Sequence, residues 1–471
     1  MVRALSGGFF LACTVVAGCA AAPAKPPVEP ALAMGGDAAS AQELAQTVNI
    51  EGHRGRLTRP ERTALLARLA AQGNASSLKR HLAAQAIYGE IDLTAYNHAQ
   101  LLIDGPVTFK AMFEAIDRAR STVMLESYIV DDQELAQRLA ALLEKKRAAG
   151  VAVAMIYDDI GSFDTQTAYF DRLRAAGVAV CAFNPVNPLK RPGYWAINHR
   201  DHRKIVVVDR EVAYTGGINI SSVYSLGSGS RGRALKSAGA QNGWRDTQIE
   251  LHGPAAAMLD DLVRETWRHQ GCEGDLPLPP TAADTRTPGQ DVVQLIPSSP
   301  NDEFNRIYAM LLTAIDTAQH SVHLTMAYFA PGEEMIEALS DAAQRGVDVR
   351  LVLPSVSDFR PVLYAGQSYY ARLLAAGVHI YELQGAILHA KTAVIDGVVS
   401  TVGSSNLDWR SISANNEVNA VVYGEDFAAS MRQMFENDVA VSREIHLGQW
   451  RRRGAWRRFL EFAARAFEPF W

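Results

Sequence analysis

The chain of 471 residues has little cysteine, no excess of basic residues and no long apolar segment. Four cysteines are too few for a disulfide-based scaffold. Lysine and arginine number 46 against 51 acidic residues, and this formal net charge of −5 argues against a nucleic-acid-binding protein. After the N-terminal region, no stretch reaches the roughly 18 uncharged apolar residues that a membrane-spanning helix needs. The chain is 48% hydrophobic and longer than one core usually reaches, so we expect at least two cores.

The first 19 residues have the pattern of a secretory signal. Arg3 precedes a short apolar run that ends in Val16-Ala17-Gly18-Cys19, which resembles a bacterial lipobox whose cysteine becomes lipidated. An ordinary signal peptide or an uncleaved anchor is the alternative. Residues 20–90 are expected to form a tether and an N-terminal helical segment. The expected location is therefore the periplasmic side of a bacterial membrane, and Ala20 favours the outer membrane over the inner one.

Most of the remaining chain is an internal duplication. Residues 169–180 (YFDRLRAAGVAV) match residues 369–380 (YYARLLAAGVHI) at seven of twelve positions. In each copy a helix, a buried strand, a second helix and a Gly-Val strand follow one another. This order predicts an α/β fold with two mixed or mainly parallel sheets flanked by helices. The predicted units are 91–274 and 292–448, joined by a Pro- and Thr-rich linker at 275–291.

Each copy carries the same spaced set of polar residues, His-x-Lys-x4-Asp-x6-Gly-[Gly/Ser]-x-Asn. The residues that fit it are His202, Lys204, Asp209 and Asn219 in the first copy and His389, Lys391, Asp396 and Asn406 in the second. One His-x-Lys pair is weak evidence, but two complete copies at equivalent places of a repeat are strong evidence for a functional site. Residues two apart on a strand share a face, so each lysine is expected beside its histidine, where its charge suits a phosphodiester.

Two further carboxylates are candidate partners of the histidines. Asp246 and Glu417 each precede a glycine by seven residues and begin a strand pattern. A carboxylate there would fix the imidazole tautomer and stabilise the imidazolium. The alternative is a surface acid at a strand edge. Asp209 and Asp396 fall at predicted hairpin turns and are expected to be structural instead.

Polar residues after the glycines are candidates for binding phosphate. Asn219 and Asn406, with Ser404 or Ser405, would donate hydrogen bonds to phosphate oxygens, or would simply form turns. No metal or other cofactor is expected, because the histidine pairs 199/202 and 320/323 lack accompanying ligands with metal-site spacing. The pairing of Cys181 with Cys272 stays open, since sequence does not establish proximity.

The repeated motif and its surroundings, WAINHRDHRKIVVVD at 195–209 and TVGSSNLDWRS at 401–411, resemble the phospholipase D superfamily. The bacterial cardiolipin synthase branch is the most similar, over roughly residues 95–450. The resemblance implies two halves related by a pseudo-two-fold axis that share one active site. It also implies a metal-free displacement at phosphorus with His202 as nucleophile and His389 as acid and base, although these two roles could be reversed.

The function expected from this resemblance is a phosphatidyltransferase of the cardiolipin synthase type. It would act on phosphatidylglycerol through a phosphatidyl-histidine intermediate and release glycerol. The alternatives are a phospholipase D with water as acceptor, a nuclease, and a catalytically silent lipid-binding lipoprotein. The expected partners are an anionic phospholipid and a membrane surface, without nucleic acid, and the oligomeric state stays open.

The last segment, 449–471, has the pattern of a basic amphipathic helix. The apolar residues sharing one side are Trp456, Phe459, Leu460, Ala463, Phe467 and Trp471. The residues predicted for the opposite side are Arg457, Arg458, Glu461, Arg465 and Glu468. Such a helix suits an anionic membrane interface, and packing against the protein body is the alternative. Two basic insertions of the first copy, at 186–200 and 225–243, would line the site entrance or form surface loops.

Overall fold

The computed structural model describes residues 41–71, 75–86, 91–186, 197–228, 243–279 and 289–468. The predicted signal peptide with Cys19 and the predicted tether up to residue 40 lie outside these ranges. So do the greater part of both predicted insertions, nine residues of the predicted linker and Trp471.

The described residues form helices separated by strands, as the repeat predicts. The helices are α1 (Ala41–Thr47), α2 (Arg59–Ala71), α3 (Ala75–Gln85), α4 (Gly105–Arg118), α5 (Glu134–Ala148), α6 (Thr167–Ala175), α7 (Pro254–His269), α8 (Arg306–Thr317), α9 (Gly332–Gln344), α10 (Arg360–Ala376), α11 (Trp409–Ser413), α12 (Glu425–Ala440), α13 (Leu447–Arg451) and α14 (Ala455–Ala466). None of them is long and apolar enough to cross a membrane.

The strands follow the same duplication. The strands up to the linker are β1 (Val48–Gly52), β2 (Gly55–Arg56), β3 (Ile91–Ile103), β4 (Thr122–Ser127), β5 (Ala152–Asp158), β6 (Ala179–Phe183), β7 (Arg200–Asp201), β8 (Lys204–Val208), β9 (Val212–Gly216), β10 (Trp244–Arg245) and β11 (Thr247–His252). The later strands are β12 (Asp291–Ser298), β13 (Ser321–Met326), β14 (Asp348–Pro354), β15 (His379–Leu383), β16 (Ile387–Leu388), β17 (Lys391–Ile395), β18 (Val399–Gly403), β19 (Asn415–Tyr423) and β20 (Ser442–Ile445).

Both halves have the same strand order. It is β3-β11-β9-β8-β4-β5-β6 in the first half and β12-β19-β18-β17-β13-β14-β15 in the second. In each half the first four pairings are antiparallel and only the last two are parallel. The mixed sheet is confirmed, and the expectation of a mainly parallel one is wrong. The motif strands form hairpins joined by three residues each, the first two of which are the central residues of a tight turn. So short a connection can join only antiparallel strands.

The hairpin turns explain the motif aspartates. Asp209 and Asp396 have positive φ angles of 54° and 51°, as the first residue of such a turn requires. The Asp209 carboxylate accepts hydrogen bonds from the backbone of residues 120–122. The Asp396 carboxylate accepts from the backbone of residues 319–321 and from His81 Nε2 at 3.2 Å. Each aspartate therefore fastens the turn to the start of the neighbouring strand.

The long strand β3 joins the two sheets. It pairs with β11 on the side of the first half and with β12 on the side of the second half. The described residues therefore form one network of 18 strands instead of two separate sheets. One apolar cluster fills each half, and a third, which includes Met124, Ile205, Val394 and Val418, lies between them. The two halves thus share a buried interface as well as a strand.

Two further features bear on the predicted segments. The N-terminal segment from residue 41 packs on the second half, because Leu66 and Leu82 join the same apolar cluster as Ile315. Its strand β1 pairs with β3, which joins the two sheets. Cys181, in β6, forms a disulfide with Cys272, which follows α7. The two cysteines are therefore bonded in this structure, whereas the sequence alone did not decide whether they pair.

Candidate active site

Two short parallel bridges between the halves build the site. Strand β7 of the first half pairs with the start of β19 in the second half, and this register places His202 opposite Glu417. Strand β10 of the first half pairs with β16 of the second half, and this register places Asp246 opposite His389. The backbone N–H of His202 donates to Asn416 O at 2.9 Å, and that of His389 donates to Arg245 O at 2.8 Å. Each predicted carboxylate therefore meets the histidine of the other half.

The first half-site centres on His202, which is buried. Its Nδ1 lies 2.9 Å and 3.0 Å from the two carboxylate oxygens of Glu417. The carboxylate is fixed by the hydroxyl of Ser404, which donates to Glu417 Oε2 at 2.5 Å. A bond from Nδ1–H to this carboxylate fixes one tautomer and leaves the lone pair on Nε2.

The second half-site centres on His389, which is equally buried. Its Nδ1 lies 2.8 Å from Asp246 Oδ2 and 3.2 Å from the hydroxyl of Tyr224. Gly217 occupies the place that Ser404 has in the other half. A Cβ at Gly217 would lie 2.1 Å from Asp246 Oδ1, so this glycine lets the chain approach the carboxylate closely. The two half-sites are thus similar in layout but different in their immediate neighbours.

Both motif lysines are buried beside their histidines. The ammonium groups of Lys204 and Lys391 each donate to the backbone carbonyl of the histidine two residues earlier. Lys391 Nζ also lies 2.9 Å from His389 Nδ1. The lysine and histidine thus lie on one side of the chain, as the strand spacing predicts.

Burial sets the protonation of the site. It lowers the pKa of His202 to about 4, although the nearby Glu417 carboxylate opposes this shift. Burial also lowers the pKa of Lys204 to about 7 and that of His389 below its ordinary value. The charge of Lys391 contributes to lowering the pKa of His202, and that of Lys204 to lowering the pKa of His389. Charges in each half-site therefore shift the pKa of the histidine in the other, and the two half-sites form one electrostatic unit.

The predicted phosphate donors are buried around this unit with different partners. Asn219 Oδ1 accepts from the backbone of Ile129, and its amide donates to the Tyr224 hydroxyl at 3.2 Å. Asn406 Oδ1 has no hydrogen-bond partner among the residues that the structure describes. The hydroxyl of Ser405 lies near the carbonyl of Asn406. A hydroxyl has one hydrogen to donate, so Ser404 as placed serves Glu417 and not a phosphate.

Aromatic rings around the histidines were missed by the sequence analysis. The rings of Trp244 and Tyr328 lie 5.1 Å and 6.3 Å from His389, and that of Tyr128 lies 4.9 Å from His202. The repeat held a signal for two of them, because Tyr128 and Tyr328 occupy equivalent positions in the two copies. Trp244 and Tyr224 have no such counterpart in the second copy. Among the residues described, no group of three metal-ligating side chains is placed to hold an ion.

The fold and the site define an enzyme of the phospholipase D-like class, in which two motif-bearing halves form one centre. A family model described as "Cardiolipin synthase, PLD-like domain" matches residues 112–224 and 311–439. The chain is 34% identical over 385 residues to cardiolipin synthase 2 of Bacillus anthracis, covering 81% of this chain and 72% of that protein. It is 35% identical over 376 residues to cardiolipin synthase A of Pseudomonas fluorescens, covering 79% and 74%. The chain belongs to the cardiolipin synthase family of phosphatidyltransferases.

A solved structure supports the fold independently. The crystal structure of phosphatidylserine synthase of Haemophilus influenzae superposes with a TM-score of 0.59 and 11% identity, over 79% of this chain and 95% of that chain. At this identity the likeness concerns the fold alone. Nearly the whole of that solved protein therefore has the same fold as most of this chain.

Proposed function

We propose that the protein transfers a phosphatidyl group from one phosphatidylglycerol to the terminal hydroxyl of another, forming cardiolipin and releasing glycerol. The observation that carries the proposal is the crossed pairing, in which each buried histidine is held by a carboxylate of the other half. Two separately oriented imidazoles at one centre suit a reaction with one nucleophile and one acid–base group. Membership of the cardiolipin synthase family supports a phospholipid as the substrate.

In the first step His202 is the nucleophile. Its low pKa of about 4 keeps the ring neutral at neutral pH, so the Nε2 lone pair can attack phosphorus. A P–N bond forms, the P–O bond to glycerol breaks, and His389 gives its proton to the departing glycerol oxygen. Lys204 and Lys391 stabilise the charge on the phosphoryl oxygens. A bound phosphodiester anion raises the pKa of His389, which favours the protonated form that this step needs.

In the second step His389 is the base. It takes the proton of the terminal hydroxyl of a second phosphatidylglycerol, and this oxygen attacks phosphorus. The P–N bond breaks, cardiolipin leaves, and both histidines return to their starting protonation. The layout is pseudo-symmetric, so the same two steps would also balance with the roles of His202 and His389 exchanged. The acceptor decides the product, because water in place of the second lipid would give phosphatidic acid.

The proposed location is a bacterial envelope membrane, with the catalytic body on the periplasmic side and a lipid anchor at Cys19. The disulfide between Cys181 and Cys272 supports this side, because such bonds persist in oxidising compartments. The lipobox-like sequence that ends at Cys19 supports the anchor.

The proposal is tested by incubating the purified protein with labelled phosphatidylglycerol in detergent micelles and resolving the products. Cardiolipin with an equal amount of glycerol is expected, and chelator should leave the rate unchanged. His202→Ala and His389→Ala should each lose turnover, whereas the control His379→Ala, at an exposed site on β15, should keep it. Phosphatidic acid as the sole lipid product would show that the reaction is hydrolysis and not transfer. Full turnover of either active-site variant would overturn the shared centre.

A further inference from the structure

The exposed phenylalanine and tryptophan side chains of the described residues concentrate at two places. They are Phe163 and Phe359, in the loops that follow β5 and β14, and Trp456, Phe459, Phe462 and Phe467, on or just after α14. Exposed aromatic rings gathered in this way mark a surface that meets an apolar partner. The proposed reaction does not use any of these six side chains.

Phe163 and Phe359 are repeat equivalents of each other. Phe163 lies five residues after Asp158, the last residue of β5, and Phe359 lies five residues after Pro354, the last residue of β14. Their exposures are 80% and 41%. Both copies of the repeat therefore carry an exposed ring at the equivalent position, in the loop after the first parallel strand pair.

Each of these loops is attached to a tyrosine that contacts a catalytic histidine. In the first half the Ser162 hydroxyl donates to the carbonyl of Tyr128 at 3.2 Å. In the second half the Tyr328 hydroxyl donates to Asp358 at 2.8 Å. The Tyr128 ring lies 4.9 Å from His202 and the Tyr328 ring 6.3 Å from His389. The loops that carry the exposed rings are therefore held against the tyrosines that contact the two histidines.

Helix α14 is continuous with this region. Its Ala464 packs in a small apolar cluster with Ala330, Val362 and Ala365, and Tyr328 packs against the same cluster. The helix thus rests on α10 and on the wall of the second half-site. Trp456 and Phe462 point away from the body, at 70% and 71% exposure.

The charges of this segment are separated. Its two acids turn toward the protein, which corrects the sequence expectation that they share the outward polar side. Glu461 is buried and bonds to Arg453, and Glu468 accepts from the Tyr369 hydroxyl at 2.6 Å. The exposed arginines of the segment are Arg451, Arg452, Arg457, Arg458 and Arg465, of which Arg457 also pairs with Glu461 and Arg465 with Glu333. Exposed cations beside aromatic rings match an anionic lipid surface.

We infer that Phe163, Phe359 and the outward aromatic face of α14 form one docking surface that inserts into an anionic bilayer and seats the active-site mouth on it. The inference rests on the proposed function only in that the substrate is a lipid of that bilayer. The rings enter the apolar boundary while the arginines meet lipid phosphates. The phosphodiester then reaches the centre without the lipid leaving the membrane.

Insertion can be read from tryptophan fluorescence. The full chain is mixed with vesicles of phosphatidylglycerol and phosphatidylcholine that carry bromine on their acyl chains, which quenches nearby tryptophans. Quenching is expected, together with its marked reduction in Trp456→Phe and in vesicles without phosphatidylglycerol. Equal quenching of Trp456→Phe and the wild type would overturn the inference. The comparison of Trp456→Phe with the wild type does not depend on whether the predicted anchor at Cys19 is lipidated.

The loops are tested by vesicle binding of Phe163→Ser and Phe359→Ser together. The expected loss is about 100-fold in affinity, because two apolar rings, each worth roughly tenfold, no longer leave water. Leu278→Ser, at an exposed apolar position in the linker region, is the matched control and should bind like the wild type. If the double variant binds vesicles as tightly as the wild type, the two loops are not part of the docking surface.

The outcomes separate this inference from the proposed function. Vesicle insertion without cardiolipin formation in micelles would leave the surface standing and overturn the reaction. Cardiolipin formation in micelles without insertion into vesicles would support the reaction and overturn the docking surface. A stable dimer in solution that Phe462→Ser converts to monomer would reassign the surface to contact between two copies of this chain, and would overturn the docking inference.

Discussion

At the scale of single residues, the carboxylates control what the histidines can do. A neutral imidazole is a nucleophile only through the nitrogen without hydrogen, so the hydrogen on Nδ1 must be kept there. Glu417 contacts Nδ1 of His202 with both oxygens, and Ser404 holds the carboxylate in that position. The tautomer of His202, the proposed nucleophile, is therefore set by a residue 215 positions away in the sequence.

Glu417→Gln tests this control at nearly constant volume. The amide can donate to Nδ1, which would move the imidazole hydrogen to Nε2 and block attack on phosphorus. We expect kcat for cardiolipin formation to fall about 10²–10⁴-fold with an unchanged circular dichroism spectrum. Glu382→Gln, at a buried acid on β15 outside the site, is the control and should keep its kcat. A Glu417→Gln enzyme with wild-type kcat would refute the tautomer argument.

At the scale of elements, the pairing of halves depends on strands that are too short to predict. Strands β7, β10 and β16 have two residues each. They carry no periodic pattern, since two residues cannot alternate over a useful length. The motif strands and hairpin turns were predictable because spacing and turn chemistry are local. The crossed histidine–carboxylate pairs were not, because the bridges that create them form only when the two halves dock.

The disulfide acts at the same scale by tying β6 to the end of α7. It joins residues separated by 91 positions, and closing a loop of this size restricts the unfolded chain. We expect Cys272→Ser to lose about 2–4 kcal/mol of unfolding free energy, measured by denaturant titration. Reductant should lower the stability of the wild type toward that of the variant and leave the variant unchanged. A wild type whose unfolding does not respond to reductant would show that the bond is absent in solution.

At the scale of the whole molecule, duplication explains why the chain has this length and this centre. Each half supplies one histidine, one lysine and the carboxylate that the other half needs, so neither half is complete. Strand β3 and the interfacial apolar cluster then hold the two halves in one register. The net charge of −5 does not indicate an anionic ligand, because a net charge does not report where the charges lie. The buried lysines at the centre and the exposed arginines on α14 are local groups of positive charge.

A mixture of two inactive chains tests whether this shared centre belongs to a single chain. His202→Ala keeps His389, and His389→Ala keeps His202, so exchange of halves between chains would rebuild an intact centre. We expect no recovery of cardiolipin formation when the two are unfolded together and refolded, because β3 pairs with both halves of its own chain. Wild type refolded alone is the control for yield. Recovery toward about a quarter of that activity would mean that the halves pair between chains, since random exchange rebuilds intact centres at that level.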